Sequence, residues 1–306
     1  MRQLVSIGLL LMVLAGSGCW RPQGNQGADF SKLELVAAYA IDMDLPLEPS
    51  GLVRLDGELY TVADKDNRTI YKVQLEGNSA QLVPALRFQP PGYYSMDWEG
   101  ISTDGSGSFY LISETEARIL EVTLDGQVRW ATPPLREQLE EAGLYAKSNA
   151  GFEGIAWLGP DHWLGAVERE PRGLAEIRLV DGKLKVTATQ QEHSPFSNAL
   201  PLLRLPDFSG LDADGGSIYA LFRNAHLVVR IEREGEGFVE AEAWSYRHLE
   251  TDPRWAYRSQ VYGQAEGLVV EEQDVYLIFD NNLGPRAADP NDGRPLLIHA
   301  RIPGKS

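Results

Sequence analysis

The chain has a single cysteine, Cys19, so no intrachain disulfide can brace it, and stability must come from its core. Its five histidines (His162, His193, His226, His248 and His299) are scattered without metal-ligand spacing, which sets zinc and iron chemistry aside. There is no Gly-x-Ser-x-Gly elbow for a serine hydrolase, and no phosphate loop or dinucleotide fingerprint. Basic residues are in short supply. Lys and Arg number 28 against 44 Asp and Glu, a net charge of −16, which argues against nucleic-acid binding. Acidity of this kind suits a protein that recruits cations, or one that merely stays soluble.

The one long apolar run, residues 4–14, is too short to span a bilayer. It follows Met1-Arg2 and precedes the small residues Ala15-Gly-Ser-Gly18 and Cys19, the order of a secretion signal. The segment resembles a bacterial lipoprotein signal, departing from it at Gly16, where leucine is usual. The alternative is an uncleaved or conventionally cleaved signal. The resemblance implies acylation of Cys19, which also accounts for an otherwise awkward free thiol. It further implies a lipid-bilayer anchor and a cell-envelope location, at the outer membrane facing the periplasm. We therefore divide the chain into a signal at 1–19, a polar Gly- and Gln-rich tether at 20–32, and a single domain at 33–304.

Within that domain a short unit recurs. Pro49-Ser50-Gly51-Leu52, Trp98-Glu99-Gly100-Ile101, Phe152-Glu153-Gly154-Ile155, Phe208-Ser209-Gly210-Leu211 and Ala265-Glu266-Gly267-Leu268 have glycines 49, 54, 56 and 57 residues apart. A repeat near this length carrying several short strands is the signature of a propeller blade. Each unit continues into an Asp/Gly-rich turn, an apolar strand such as Phe109-Tyr-Leu-Ile, a polar tip, and an alternating third strand such as Arg118-Ile-Leu-Glu-Val. Fourth strands are expected at 80–88, 128–132, 184–190 and 238–246. The fifth repeat lacks one, and the unpartnered strand at 33–42 can supply it. The expectation is an all-β, five-bladed propeller closed by its N-terminal strand, and a monomer. One short helix is expected near Leu135–Ala142, in one of four long, aromatic-rich connections.

In such a ring the starts of the inner strands and the tips between second and third strands share one rim. That places Glu99, Glu153 and Glu266 at the mouth, with Ser50 and Ser209 at the other two positions. Around them stand Asp64, Asn67, Glu114, Glu168, Arg223, Asn224, Asp280 and Asn281. Carboxylates so crowded repel one another unless a cation joins them, and Ca²⁺ takes six to eight such oxygens. The plainer alternative is that the glutamates bond to neighbouring backbone and the glycines only serve packing. Phe152 is expected to wall the loop-lined rim.

The segment Asn149-x-Gly151-Phe152-Glu153-Gly154, with Asp97-x-Glu99-Gly100 and Ser50-Gly51, resembles the phytase-like ("esterase-like activity of phytase") propellers and the SdiA-regulated periplasmic propellers. The resemblance implies an exported propeller binding Ca²⁺ at the axial glutamates and hydrolysing phosphate or carboxylic esters. Ser209 and Arg223-Asn224 depart from the denser acidic cleft of phytases proper. Two functions follow: a calcium-dependent hydrolase of a small anionic or ester ligand, and a non-catalytic envelope module binding a ligand or protein.

Overall fold

The computed structural model describes residues 30–92, 95–145, 150–197, 205–258 and 263–304. The signal with Cys19, most of the tether, Asn149 and Tyr262 lie outside these residues. The fold is all-β. Two N-terminal strands, β1 (Ser31–Lys32) and β2 (Glu34–Asp42), precede the first repeat: β3 (Pro49–Leu55), β4 (Glu58–Ala63), β5 (Asp66–Glu76) and β6 (Ser79–Arg87). The second repeat is β7 (Trp98–Thr103), β8 (Ser108–Ser113), β9 (Arg118–Thr123) and β10 (Val128–Trp130), followed by helix α1 (Arg136–Glu141). The third is β11 (Phe152–Gly159), β12 (His162–Val167), β13 (Gly173–Val180) and β14 (Lys183–Gln190). Next come β15 (Phe208–Asp214), β16 (Ser217–Phe222), β17 (Leu227–Glu234) and β18 (Gly237–Ser245), then helix α2 (Arg247–Glu250). The chain ends with β19 (Ala265–Glu271), β20 (Asp274–Phe279) and β21 (Leu296–Arg301).

Within each repeat the strands pair antiparallel in chain order, joined by tight turns. Asp56-Gly57, Asp181-Gly182 and Gly215-Gly216 take positive φ there, as hairpin turns require. β2 pairs antiparallel with β21, from Glu34↔Arg301 to Ala40↔Leu296, and its last residues run parallel to β6. It thereby joins the last repeat to the first in an eight-stranded sheet. The tether expectation needs one correction. Ser31 and Lys32 form β1, parallel to β18, and Phe30 packs edge-on against Phe196. Leu33 buries beside them and holds this end of the tether to the domain.

The inner strands β3, β7, β11, β15 and β19 pack one on the next, and β19 returns to β3. Their glycines permit the approach. A Cβ at Gly100 would lie 3.0 Å from Gly154 Cα, one at Gly154 2.7 Å from the Leu211 nitrogen, and one at Gly267 2.5 Å from the Gly51 carbonyl carbon. Such contacts demand backbone movement, so glycine is the residue that fits. The core lies between neighbouring sheets, where second-strand residues such as Leu111, Leu164 and Leu277 are fully buried. The aromatics opening the inner strands join it. Trp98, Phe152 and Phe208 are wholly buried, and the Phe152 ring packs at a tilt of 55° against Tyr145, centroids 5.5 Å apart. Phe152 is thus a core residue and not a rim wall, because Gly165 beneath it leaves room for the ring.

Candidate functional site

Four of the inner strands begin with the same irregularity. Trp98 faces Ser113 and Gly100 faces Ile112, so Glu99 is an extra residue with no partner across the ladder. Glu153, Ser209 and Glu266 are extra in the same way, each flanked by an aromatic or alanine and a glycine. Such a bulge turns the side chain of the inserted residue out of the sheet's alternation. Here it aims Glu99, Glu153 and Glu266 into one cavity of about 190 Å³, also lined by Glu48, Ser50, Asp64, Arg223 and Asp280.

The residue after each second strand forms a second tier. These are Asp64, Glu114, Glu168, Arg223 and Asp280, four acids and one arginine. Backbone bonds tie this tier to the segments entering the inner strands: Asp64 N–H to Glu48 O at 2.9 Å, Glu114 N–H to Asp97 O at 3.0 Å, and Glu168 N–H to Gly151 O at 2.9 Å. The tiers are therefore held in register by main chain.

The arginine divides the mouth into two unlike halves. Arg223 donates to Glu266 and, at 3.0 Å, to Glu168, so these carboxylates have a cation of their own. The charge of Glu266 foremost, then those of Glu153 and Asp207, holds the guanidinium more firmly protonated than usual, against its burial. On the other side Asp97, Glu99 and Glu114 place carboxylate oxygens within 4.8 Å of one another. Asp64 stands beside them, its cation being Lys65, which also pairs with Glu48. Burial, then the charges of Glu266, Asp97 and Glu114, push Glu99 up to about 8. Burial and a shared hydrogen bond with Asp64 push Asp97 to about 7. Burial likewise raises Glu153 well above the carboxylate range, with Glu99 the next cause.

Further contacts fix this acidic half. Ser50 Oγ donates to Glu99 at 3.1 Å, Gly151 N–H to Glu114 at 2.8 Å, and Tyr145 OH to the Glu114 carbonyl at 3.1 Å. A Cβ at Gly151 would stand 2.4 Å from the Glu114 side chain, so this glycine admits the carboxylate. The donors are hard oxygens without nitrogen or sulfur, the set that Ca²⁺ prefers.

Other predicted rim residues serve the loops. Asn67 accepts from Met96 N–H at 2.8 Å, Asn224 from Asp207 N–H at 3.0 Å, and the Asn281 amide donates to Gly284 and Gly293 carbonyls. Asp280 does line the mouth, and burial pushes it up to about 7. Asp97 was missed as a ligand candidate, although Asp97-x-Glu99 was legible. Its left-handed backbone, φ 52°, lets its side chain and that of Glu99 approach one cluster.

A family model described as SdiA-regulated matches residues 51–283, most of the chain. The chain belongs to the SdiA-regulated family. The matched region includes all three axial glutamates. No curated protein matches the sequence. Among solved structures, glutaminyl cyclase of Myxococcus xanthus aligns at 14% identity and TM-score 0.54, over 90% of this chain and 100% of that one. The PQQ-bound aldose sugar dehydrogenase of Streptomyces coelicolor aligns at 14% identity and TM-score 0.47, over 89% and 98%. Virginiamycin B lyase of Staphylococcus aureus aligns at 11% and 0.43, over 85% and 68%. At such identity the likeness to the cyclase is one of fold, a propeller-like all-β architecture, and it says nothing of activity.

Proposed function

We propose that this member of the SdiA-regulated family is a five-bladed propeller, closed by β2 and anchored in the cell envelope through acylated Cys19, whose mouth binds Ca²⁺. The cycle of inner-strand contacts and the place of β2 between β21 and β6 support the architecture. The observation that carries the metal is the trio Asp97, Glu99 and Glu114, three carboxylates with oxygens within 4.8 Å and no arginine bound to them among the described residues. This refines the expected set of Glu99, Glu153 and Glu266. Glu99 is the shared ligand, Glu266 is engaged by Arg223, and Glu153 lies between the two halves.

The phytase-like reading adds hydrolysis. Bound Ca²⁺ would polarise a phosphoryl or acyl oxygen, while Glu153, whose affinity for protons is raised by burial, would hold or accept a proton beside it. Hydrolysis of aryl phosphate and acyl esters is measured with Ca²⁺ or chelator, on the parent chain and on Glu153→Gln. Calcium-dependent turnover lost in E153Q identifies the hydrolase. Calcium-dependent melting without turnover identifies a binding module, the second reading, and contradicts the hydrolytic one.

A further inference from the structure

We propose that the face opposite the mouth carries a second site, which binds a small organic phosphate with an aromatic or apolar body. Two adjoining cavities form it between the third and fourth repeats, and Arg233 lines both. The smaller, about 200 Å³, is lined by Arg178, Lys185, Thr187 and Arg233, with Glu176 and Glu236. Three cations against two carboxylates make it net positive on a chain of net charge −16.

The strands force these cations together. Arg178 on β13 lies directly across from Lys185 on β14, a like-charge pair that costs stability unless an anion joins it. Glu176 does not fully serve that purpose. It already accepts from His162 at 2.8 Å, Arg178 at 2.8 Å and Arg233 at 2.5 Å. Burial opposes its ionisation, yet the bonds from Arg233, Arg178 and His162 hold its carboxyl down at about 2. Lys185 has no ion-pair partner among the described residues. Arg233 stacks over Phe238 at 4.6 Å, which fixes the plane of its guanidinium. Both arginines line the cavity and remain partly exposed, 46% and 42%, although Arg233 gives both terminal nitrogens to Glu176, at 3.3 and 2.5 Å, and Arg178 gives one. Arginine forks and a lysine point charge are the usual partners of phosphate oxygens.

The larger cavity, about 490 Å³, shares Arg233 with the smaller and is also lined by Arg230, Glu232 and Ser217. Trp157, Leu158, Ala213, Ile218 and Ile231 give it an apolar wall, and its size suits a bicyclic ring. A head of one chemistry and a body of another are thus accommodated side by side. Trp157 sits near the end of β11, whereas Glu153 sits at its start, so this site is separate from the mouth.

Calorimetric titration of the full-length chain with 1-naphthyl phosphate, 1-naphthol and inorganic phosphate tests the assignment. Naphthyl phosphate is expected to bind at one saturable site, about tenfold or more tighter than either fragment, and equally well in chelator. Lys185→Gln, at an exposed residue, weakens it roughly tenfold, the worth of one charge-assisted hydrogen bond. Trp157→Leu weakens naphthyl phosphate but leaves inorganic phosphate unchanged. Absence of saturation by naphthyl phosphate, parental affinity in K185Q, or loss of binding in chelator overturns the proposal.

Discussion

At the scale of single residues, Arg223 decides how the mouth divides its charge. It is the one cation among the five equivalent positions, and it serves two carboxylates from adjoining repeats. Replacing it by glutamine leaves Glu266 without its counter-charge and Glu168, 2% exposed, with Arg169 alone. Loss of one partner from such an arrangement costs about 3–5 kcal/mol. Urea unfolding of Arg223→Gln should show that loss at pH 8 and a smaller one at pH 5, where the orphaned Glu266, already pushed up by burial, takes up a proton. An equal loss at both values contradicts the charge argument. Asp212 gives a second residue-scale test, remote from the mouth. It accepts Val270 N–H at 2.7 Å, and burial pushes its carboxyl up to about 7. Its folded pKa lies above the unfolded value of about 4. Its contribution is therefore complete below about pH 4 and lost as pH rises through about 7. Asp212→Asn keeps an acceptor but cannot titrate. The parent should lose stability relative to this variant between pH 5 and pH 8, as read by paired denaturation curves. A difference independent of pH refutes the shift.

At the scale of elements, β2 holds the two ends of the chain together. It covers the β21 edge and meets β6, and it buries Ile41 completely, with Leu33 just before it. Those two side chains are worth about 1.5–3 kcal/mol each. A chain beginning at residue 43 should unfold earlier and aggregate through the bared β21 edge, whereas one beginning at residue 30 should not. Thermal melting with light scattering compares the two, and equal behaviour contradicts a closing role. Much of this level was readable in the sequence. Apolar runs behind Asp/Gly turns marked β8, β12, β16 and β20, and the strand expected at 33–42 is β2, which pairs with β21. The bulges were not readable, because a one-residue insertion leaves Glu-Gly looking like ordinary strand. Their effect is to aim Glu99, Glu153 and Glu266 at one point. The reversed fate of Phe152 has a similar origin. An aromatic in a long connection looks like rim until the space above Gly165 is known. Asn67, Asn224 and Asn281 shared the tips' polar character, yet they bond to neighbouring loops.

At the scale of the whole molecule, charge is segregated. An acidic mouth faces one way, and the net-positive pocket of Arg178, Lys185 and Arg233 faces the other. The net charge of −16 gave the sign of the first and concealed the second. The asymmetry within the mouth matters most for the central claim. Arg223 pairs with one half, and Asp97, Glu99 and Glu114 cluster on the other with no cationic side chain bound to them among the described residues. A ligand bound only by the folded chain stabilises it by about 2.7 kcal/mol at a hundredfold excess over its dissociation constant, a melting shift of roughly 5–10 °C for a domain of this size. The most direct test is therefore calorimetric titration of the full-length protein with Ca²⁺ at neutral pH, with melting followed in parallel. The account predicts saturation at one ion per chain and a raised melting temperature, both lost in Glu99→Gln and Glu114→Gln but kept in Asn281→Ser. Absence of saturation, with a melting temperature indifferent to chelator, would contradict it.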